Sequence, residues 1–383
     1  MVRAQFYSSI AQVDASLWNG LFNCDNPFIQ HAFLLALEES GCVSAATGWQ
    51  PQHLVLYQRD QAIAAMPLYI KSHSHGEFVF DWGWVEAYER HGLAYYPKLL
   101  TAVPFTPSAG PRAGFAPGQD RGALVSVLLA RLKQHAQKLD CSSWHLLFTE
   151  DSLGKQFAHI HEGQLLHRQD VQFHWFNRDY QRFDDFLLAL RSSRRKSLKR
   201  DRRLVAEQGV KLQRKTGEQI SDEDWSGFYR CYRRTYLKRS GHPGYLTRGF
   251  FVRLLEKMRD QLMLVVAERD GAMIASSLFL FDSHTLYGRY WGALSEVNCL
   301  HFEACFYQGI EFCIEKQIVE FDPGTQGEHK LLRGFEPFTT SSYHWISDPR
   351  FRDAIGDFLK MEKKAVQSYG ERVAEFLPFK RGS

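Results

Sequence analysis

The stretch Leu54-Val-Leu-Tyr-Gln-Arg-Asp-Gln-Ala-Ile-Ala-Ala-Met-Pro-Leu-Tyr-Ile70 reads as an apolar run, a polar tip and a second apolar run. It has a counterpart in Leu264-Val-Val-Ala-Glu-Arg-Asp-Gly-Ala-Met-Ile-Ala-Ser-Ser-Leu-Phe-Leu280. Aligned without gaps, Leu54/Leu264, Val55/Val265, Arg59/Arg269, Asp60/Asp270, Ala62/Ala272, Ala65/Ala275 and Leu68/Leu278 coincide. Asp270-Gly271 supplies the backbone freedom of a two-residue turn, so both stretches read as β-hairpins.

The elements after each hairpin repeat as well. After the first, the sequence predicts a strand from Glu77 to Trp84, a long loop, a helix from Arg121 to about Leu139 and a strand from Trp144 to Phe148. The helix carries its apolar stripe at Leu124, Leu128, Leu129 and Leu132. After the second come a strand from Thr285 to Gly292, a helix from about Leu300 to Lys316 and a strand from Ile318 to Asp322. The same order twice over predicts a duplication: an α/β (α+β) chain of two like domains, each a mixed, largely antiparallel sheet flanked by helices. The domains are expected at 1–170 and 171–349, with a helical segment at 350–383 packing back on the first. Between the halves lies a strongly basic helix closing at Gly209, a good C-terminal cap.

Composition narrows the function classes. The 383 residues are 44% hydrophobic and 14% aromatic, enough for large cores, and the net charge of +4 is too small to argue for nucleic acid from the whole chain. Seven cysteines without a C-x-x-C pair read as free thiols in a reducing compartment. With no signal-like N-terminal run and no stretch fit to cross a bilayer, the expectation is a cytoplasmic protein. There is no H-E-x-x-H, G-x-S-x-G, Walker or dinucleotide motif, and His73 and His75 are too few for a metal site, so neither metal nor redox cofactor is expected.

Several motifs span nearly the whole chain: Asn26-Pro27-Phe28, Gly76-Glu-Phe-Val-Phe-Asp-Trp82, Tyr95-Tyr-Pro-Lys98, Val103-Pro-Phe-Thr-Pro107 with Gly110-Pro-Arg112, Gly288-Arg-Tyr-Trp-Gly292, Leu300-His-Phe-Glu303, and Gln326-Gly-Glu-His-Lys330 with Arg333-Gly-Phe335. With the order of elements, they resemble the Fem-type branch of the GNAT acyltransferase superfamily. They are closer still to its bacterial FemAB-like relatives, labelled peptidoglycan biosynthesis or recognition proteins. The resemblance implies two tandem GNAT-like domains and transfer of an amino acid from aminoacyl-tRNA to an amine on a cell-wall precursor. It implies a small-molecule or cell-wall partner, with tRNA as a further partner where aminoacyl-tRNA is the donor, and no DNA. Two departures stand out. Gly292 to Leu300 lacks the Q/R-x-x-G-x-G/A loop that binds acetyl-CoA, and Leu332 occupies the position of the Fem lysine, with Lys330 earlier. The donor therefore stays open between aminoacyl-tRNA and acyl-CoA. A binding protein without turnover and an acetyl-CoA-dependent N-acetyltransferase remain as alternatives.

Acyl transfer to an amine needs a proton acceptor, a donor for the developing oxyanion and charge complementarity to phosphate-bearing substrates. The loop after the Ile318–Asp322 strand is the richest candidate, with Glu328 or His329 to accept a proton and Lys330 and Arg333 to hold phosphate or oxyanion. Asp322 and Gln326 beside them are candidate substrate contacts. Arg289 lies in an aromatic strand, where a charge must be paired or face a cleft. His301 and Glu303 open the central helix of the second half. In the first half Asp81, Tyr96, Lys98 and Arg112 are candidates for a binding surface. Arg194, Arg195, Lys199 and Arg202 of the basic helix are candidate phosphate ligands, although such a run also suits a solvated face.

Overall fold

The computed structural model describes residues 2–160, 163–325 and 327–380. The chain forms two compact units, one of residues 1–170 and 339–368, the other of 171–338 and 369–383. Residues 339–349, expected in the second half, belong to the first unit. So does most of the C-terminal helix Pro349–Ala374, while its last turns belong to the second.

In the first unit, Val2–Tyr7, His53–Gln58, Gln61–Met66 and Gly114–Phe115 form an antiparallel sheet in that order. A second run of strands goes from Trp49–Pro51 through Tyr69–Lys71, Lys98–Thr101 and Ser143–Leu147 to residues 342–346. Lys98–Thr101 and Ser143–Leu147 are parallel, because the helix Arg121–Lys138 carries the chain back between them. Asp120 caps that helix by accepting from the Ala123 N–H. Its stripe of Leu124, Val125, Leu128, Leu129 and Leu132 packs on Leu54, Leu56, Met66, Leu99 and Trp144. Each fully buried leucine contributes about 1.5–3 kcal/mol of apolar burial.

The second unit repeats this plan. Lys211–Thr216, Leu262–Arg269, Ala272–Phe281 and Thr285–Ala293 are antiparallel neighbours. Thr285–Ala293 then lies parallel to Glu320–Asp322, which pairs with residues 175–176. The crossover helix runs as Leu300–Phe302, a π-helical stretch Glu303–Tyr307, and Gln308–Lys316. Phe306, Ile310, Phe312, Cys313 and Ile314 fill the core with Phe279, Leu286 and Phe321.

Both hairpins turn through two left-handed residues, Arg59-Asp60 (φ 47° and 62°) and Asp270-Gly271 (φ 54° and 76°), and each has a register shift shortly before its turn, at Leu56/Tyr57 and Ala267/Glu268. Matching turns and bulges pairs Leu54 with Val265, one residue from the ungapped alignment. Since side chains alternate faces, that slip puts every coincident pair on opposite faces. The duplication rests on topology; the residue identities of the two hairpins do not carry it.

A second difference concerns 77–84. The alternating aromatics read as a strand, but Phe78 adopts φ 62°, Phe80 is 63% exposed, and Trp82–Arg90 is a helix with Trp84 and Tyr88 buried one turn apart. The i, i+4 pair is the signal that wins.

Candidate functional site

The chemistry-bearing residues gather in two clusters, one in each unit. In the second unit, Asp322 ends the strand parallel to Thr285–Ala293, and Glu328–Arg333 forms a short 3-10 turn beyond it, where φ 86° at Gly324 and 109° at Gly327 demand glycine. Asp322 is buried; its Oδ1 accepts from the Gly324 N–H at 2.8 Å, while Oδ2 has no hydrogen-bond partner among the described residues. Lys330 is 3% exposed, and its ammonium donates to the Gly324 carbonyl. Burial pushes its pKa down to about 8, and the charge of Asp322 only partly offsets that. His329, exposed next to it, is held below the ordinary imidazole range by desolvation and by the Arg333 and Lys330 charges, so it is neutral at pH 7. Gln326 lies outside the described residues. Glu328 accepts from the Tyr369 hydroxyl at 2.8 Å.

Arg333 is the brace of this turn. Its guanidinium lies 3.4 Å from the Phe302 ring centroid; Nε donates to the Tyr307 hydroxyl, Nη1 to the His329 carbonyl, and Nη2 meets Asp201 at 3.2 Å. His301 stands 6.2 Å from His329 between ring centroids, against Trp291 and Phe306, and burial first and neighbouring positive charge second drive it down to about 4. The π-helical stretch begins next to it, the kind of irregularity that recurs at functional sites. Ser277 donates to the Ala304 carbonyl within that stretch at 2.8 Å. Arg289 lies on the neighbouring strand, half-buried, with its guanidinium 5.6 Å from the Tyr290 ring centroid.

Glu303 does not stand free. Arg202 of the basic helix Ser192–Glu207 binds it at 3.1 Å and Glu311 at 2.6 Å, and Gln308 donates to it at 2.7 Å. Burial raises the Glu303 pKa against the pull of Arg202. Arg202 is thus committed to two carboxylates and is no open phosphate ligand. Arg194 and Arg195 are half-buried with no ion-pair partner among the described residues, and exposed Lys199 lies 3.7 Å from Asp184.

In the first unit, Lys98 is fully buried. Its ammonium donates to Ser74 and Glu77 at 2.8 Å each and to Asp81 at 2.5 Å. Burial alone would raise Asp81 and lower Lys98; Lys98 reverses the first shift, and Glu77 together with Asp81 reverses the second. Buried Lys71, 4.0 Å from Glu77 and stacked on Trp49, is pushed down to about 7 by desolvation, and Glu77 is pushed up to about 7 by the same cause. The Tyr95 hydroxyl donates to Asp81 at 2.6 Å and lies 3.3 Å from His145. The Nδ1 atoms of His145 and His344 approach to 2.6 Å across paired strands. One ring must donate and the other accept, and burial keeps both well below the ordinary imidazole range. Tyr96 reaches the cluster through Ser74 at 2.8 Å. Arg112 does not join it: its guanidinium is buried and donates to the carbonyls of Leu147, Ser108 and Pro111, which makes it a brace of its own loop.

Sequence reasoning thus assembled part of each cluster. It missed Lys71 and Glu77, which lie close to Asp81 in the chain, His145 and His344, which are distant in it, and Asp201, whose signal was its being the one acid among the cations from Arg191 to Arg203. Among the described residues, no group of three or more His, Cys, Asp or Glu side chains is placed to hold a metal, and no helix is long and apolar enough to cross a membrane.

The fold is that of two tandem GNAT-like units. The chain belongs to the FemAB-like family, described as peptidoglycan biosynthesis/recognition, whose model matches residues 9–381. No curated protein matches. Among solved structures, a conserved protein of unknown function from Bacteroides thetaiotaomicron is similar at 12% identity and TM-score 0.53, covering 90% of this chain and 99% of its own. The C-terminal domain of a putative lysylphosphatidylglycerol synthetase from Agrobacterium fabrum is similar at 10% identity and TM-score 0.53, covering 92% and 97%. FemX is similar at 11% identity and TM-score 0.50, covering 92% and 100%.

Proposed function

We propose that this protein is an acyltransferase that joins an activated aminoacyl group to an amine on a cell-wall precursor, with the 322–333 region of the second unit as its reacting centre. The observation that carries this reading is Lys330: a buried ammonium with a pKa of about 8, beside a buried carboxylate with one oxygen unpartnered among the described residues and next to an exposed imidazole held below its ordinary range. The acceptor amine adds to the ester carbonyl of the donor, and its proton passes to the His329 imidazole. Lys330 donates to the tetrahedral oxyanion. The carbon–oxygen bond to the donor then breaks, and the leaving hydroxyl takes the proton from His329.

An ester donor fits better than acyl-CoA. In the second unit the start of the crossover helix is closed by its own chain: Leu300 N–H bonds to the Val297 carbonyl, Phe302 and Glu303 N–H to the Cys299 carbonyl, and Asn298 N–H to Gln208. In the first unit the Asp120 carboxylate caps the equivalent helix. A pyrophosphate needs open N–H groups and no competing anion at such a start.

The test is transfer of labelled amino acid from charged tRNA to a UDP-linked muropeptide, run beside acetyl-CoA as donor. Wild-type protein should transfer the label, and Lys330→Met should lose about 10²–10³ of the rate, the usual cost of an oxyanion donor, while melting within a few degrees of wild type. Equal rates in both, or transfer from acetyl-CoA alone, defeat the reading. Recognition without turnover is the second reading, favoured by the partners Lys330 and Arg333 already have; precursor binding with no transfer from any donor would select it.

A further inference from the structure

We propose that Asp201 is a positioning residue, through which phosphate groups gathered by the outward cations of the basic helix set the 328–333 turn. The inference rests on the reading of that turn as the reacting centre.

Leu198, Asp201, Arg202 and Val205 follow i, i+3, i+4, i+7 spacing, so they share one helix face. Leu198 and Val205 on that face are buried. An acid in the middle of this face needs a purpose, because an apolar residue would pack there without desolvating a charge. Its partners supply one. Asp201 Oδ2 accepts from the Tyr307 hydroxyl at 2.7 Å and meets Arg333 Nη2 at 3.2 Å, and its Oδ1 lies 3.6 Å from the Cys299 thiol. Tyr307 closes the π-helical stretch, Cys299 precedes the crossover helix, and Arg333 ends the turn that carries His329 and Lys330. One carboxylate therefore touches the start of the crossover helix, its irregular stretch and the turn.

The opposite side of the same helix points to solvent. Lys196, Lys199, Arg200 and Arg203 are exposed, and their only ion pairs among the described residues are Lys199 with Asp184 and Arg203 with Glu207. These cations and Asp201 ride on one continuous helix of 16 residues. A phosphate-bearing partner that shifts or turns the helix must carry the carboxylate with it. Arg333 moves in turn, since its stacking on Phe302 and its bond to the His329 carbonyl depend on where Asp201 holds it.

The experiment uses full-length protein with selectively labelled arginine and histidine side chains, and inorganic polyphosphate as the probe. Saturating polyphosphate should move the Arg333 Nε–H and His329 ring signals of wild type. In Asp201→Asn the probe should bind with close to wild-type affinity, because the carboxylate lies on the face away from the exposed cations, yet leave both signals in place. Asp201→Glu, which keeps the charge, should restore part of the response. Lys196→Glu/Lys199→Glu/Arg200→Glu, which reverses exposed cations of the outward side, should abolish probe binding. The inference fails if wild-type signals do not move, if they move equally in Asp201→Asn, or if the triple variant binds as well as wild type. Where transfer is measured, Asp201→Asn should lower kcat about tenfold without changing KM for the acceptor; an unchanged kcat counts against positioning. The spectroscopic result stands without any transfer reaction, so failure of the proposed function and failure of this inference are told apart.

Discussion

Lys98→Met tests the buried cluster of the first unit most directly. Methionine nearly matches the lysine stem in volume, so the substitution removes the ammonium without opening a cavity. Glu77 and Asp81 are then left buried without the donor they share, and Ser74 loses one of its partners and keeps Tyr96. Breaking a buried ion pair from one side costs about 3–5 kcal/mol. In a unit of about 200 residues each kcal/mol moves the melting temperature by about 2–4 °C, so the first unit should melt about 6–20 °C lower. The pH dependence has a definite sign. Lys98 holds the folded Asp81 pKa below its ordinary value, so the stability Asp81 contributes is present above the unfolded carboxyl pKa and lost as pH falls through the folded one. The gap that Asp81 contributes should therefore hold from pH 7 down to about pH 4 and narrow as pH falls further. Thermal unfolding followed by near-ultraviolet circular dichroism reads both quantities. A drop of less than about 2 °C, or a gap that stays as wide well below about pH 4 as at pH 7, refutes the reasoning.

Three other charged groups give outcomes of their own. Glu77 has its pKa raised to about 7, so the folded chain keeps a proton that the unfolded chain releases between about pH 4.5 and 7. Its contribution is present at low pH and lost across that window, and Glu77→Gln should flatten the fall in urea-unfolding free energy over the same range. Arg202→Met should cost about 2 kcal/mol by leaving Glu303 buried with Gln308 as its remaining partner, whereas Lys199→Glu on the exposed face should change stability by no more than about 0.5 kcal/mol; urea midpoints measured side by side decide whether the two cations differ as stated.

How far the molecule can be read from its sequence depends on the range of the interactions involved. Lys98–Thr101, the parallel partner in the first unit, lay in what read as a loop, whereas the hairpins, both crossover helices and the strand after each arise from periodicity and turn residues acting within a few residues of each other. Register did not: Arg59-Asp60 and Arg269-Asp270 look alike, but the left-handed pair is Arg59-Asp60 in one hairpin and Asp270-Gly271 in the other, a choice made by the single glycine. The 77–84 segment defeated pattern reading because four alternating aromatics fit a strand and, with Trp84 and Tyr88 taken together, a helix. The cluster around Lys330 was legible since its polar residues sit within a dozen positions. The cluster around Lys98 was half legible, because strand pairing brings His344 onto His145 from 199 positions away, and no local pattern encodes that meeting.

The chain passes between its two units at 170/171, 338/339 and 368/369. Neither half can therefore be released by one cut. A fragment ending at residue 170 would keep Ser143–Leu147 but forfeit the strand that pairs with it through residues 342–346. The exposed row of backbone donors and acceptors would then solicit other chains in the tube. Anyone wishing to study one lobe in isolation must splice its distant pieces together, and the fused gene has in this sense become indivisible.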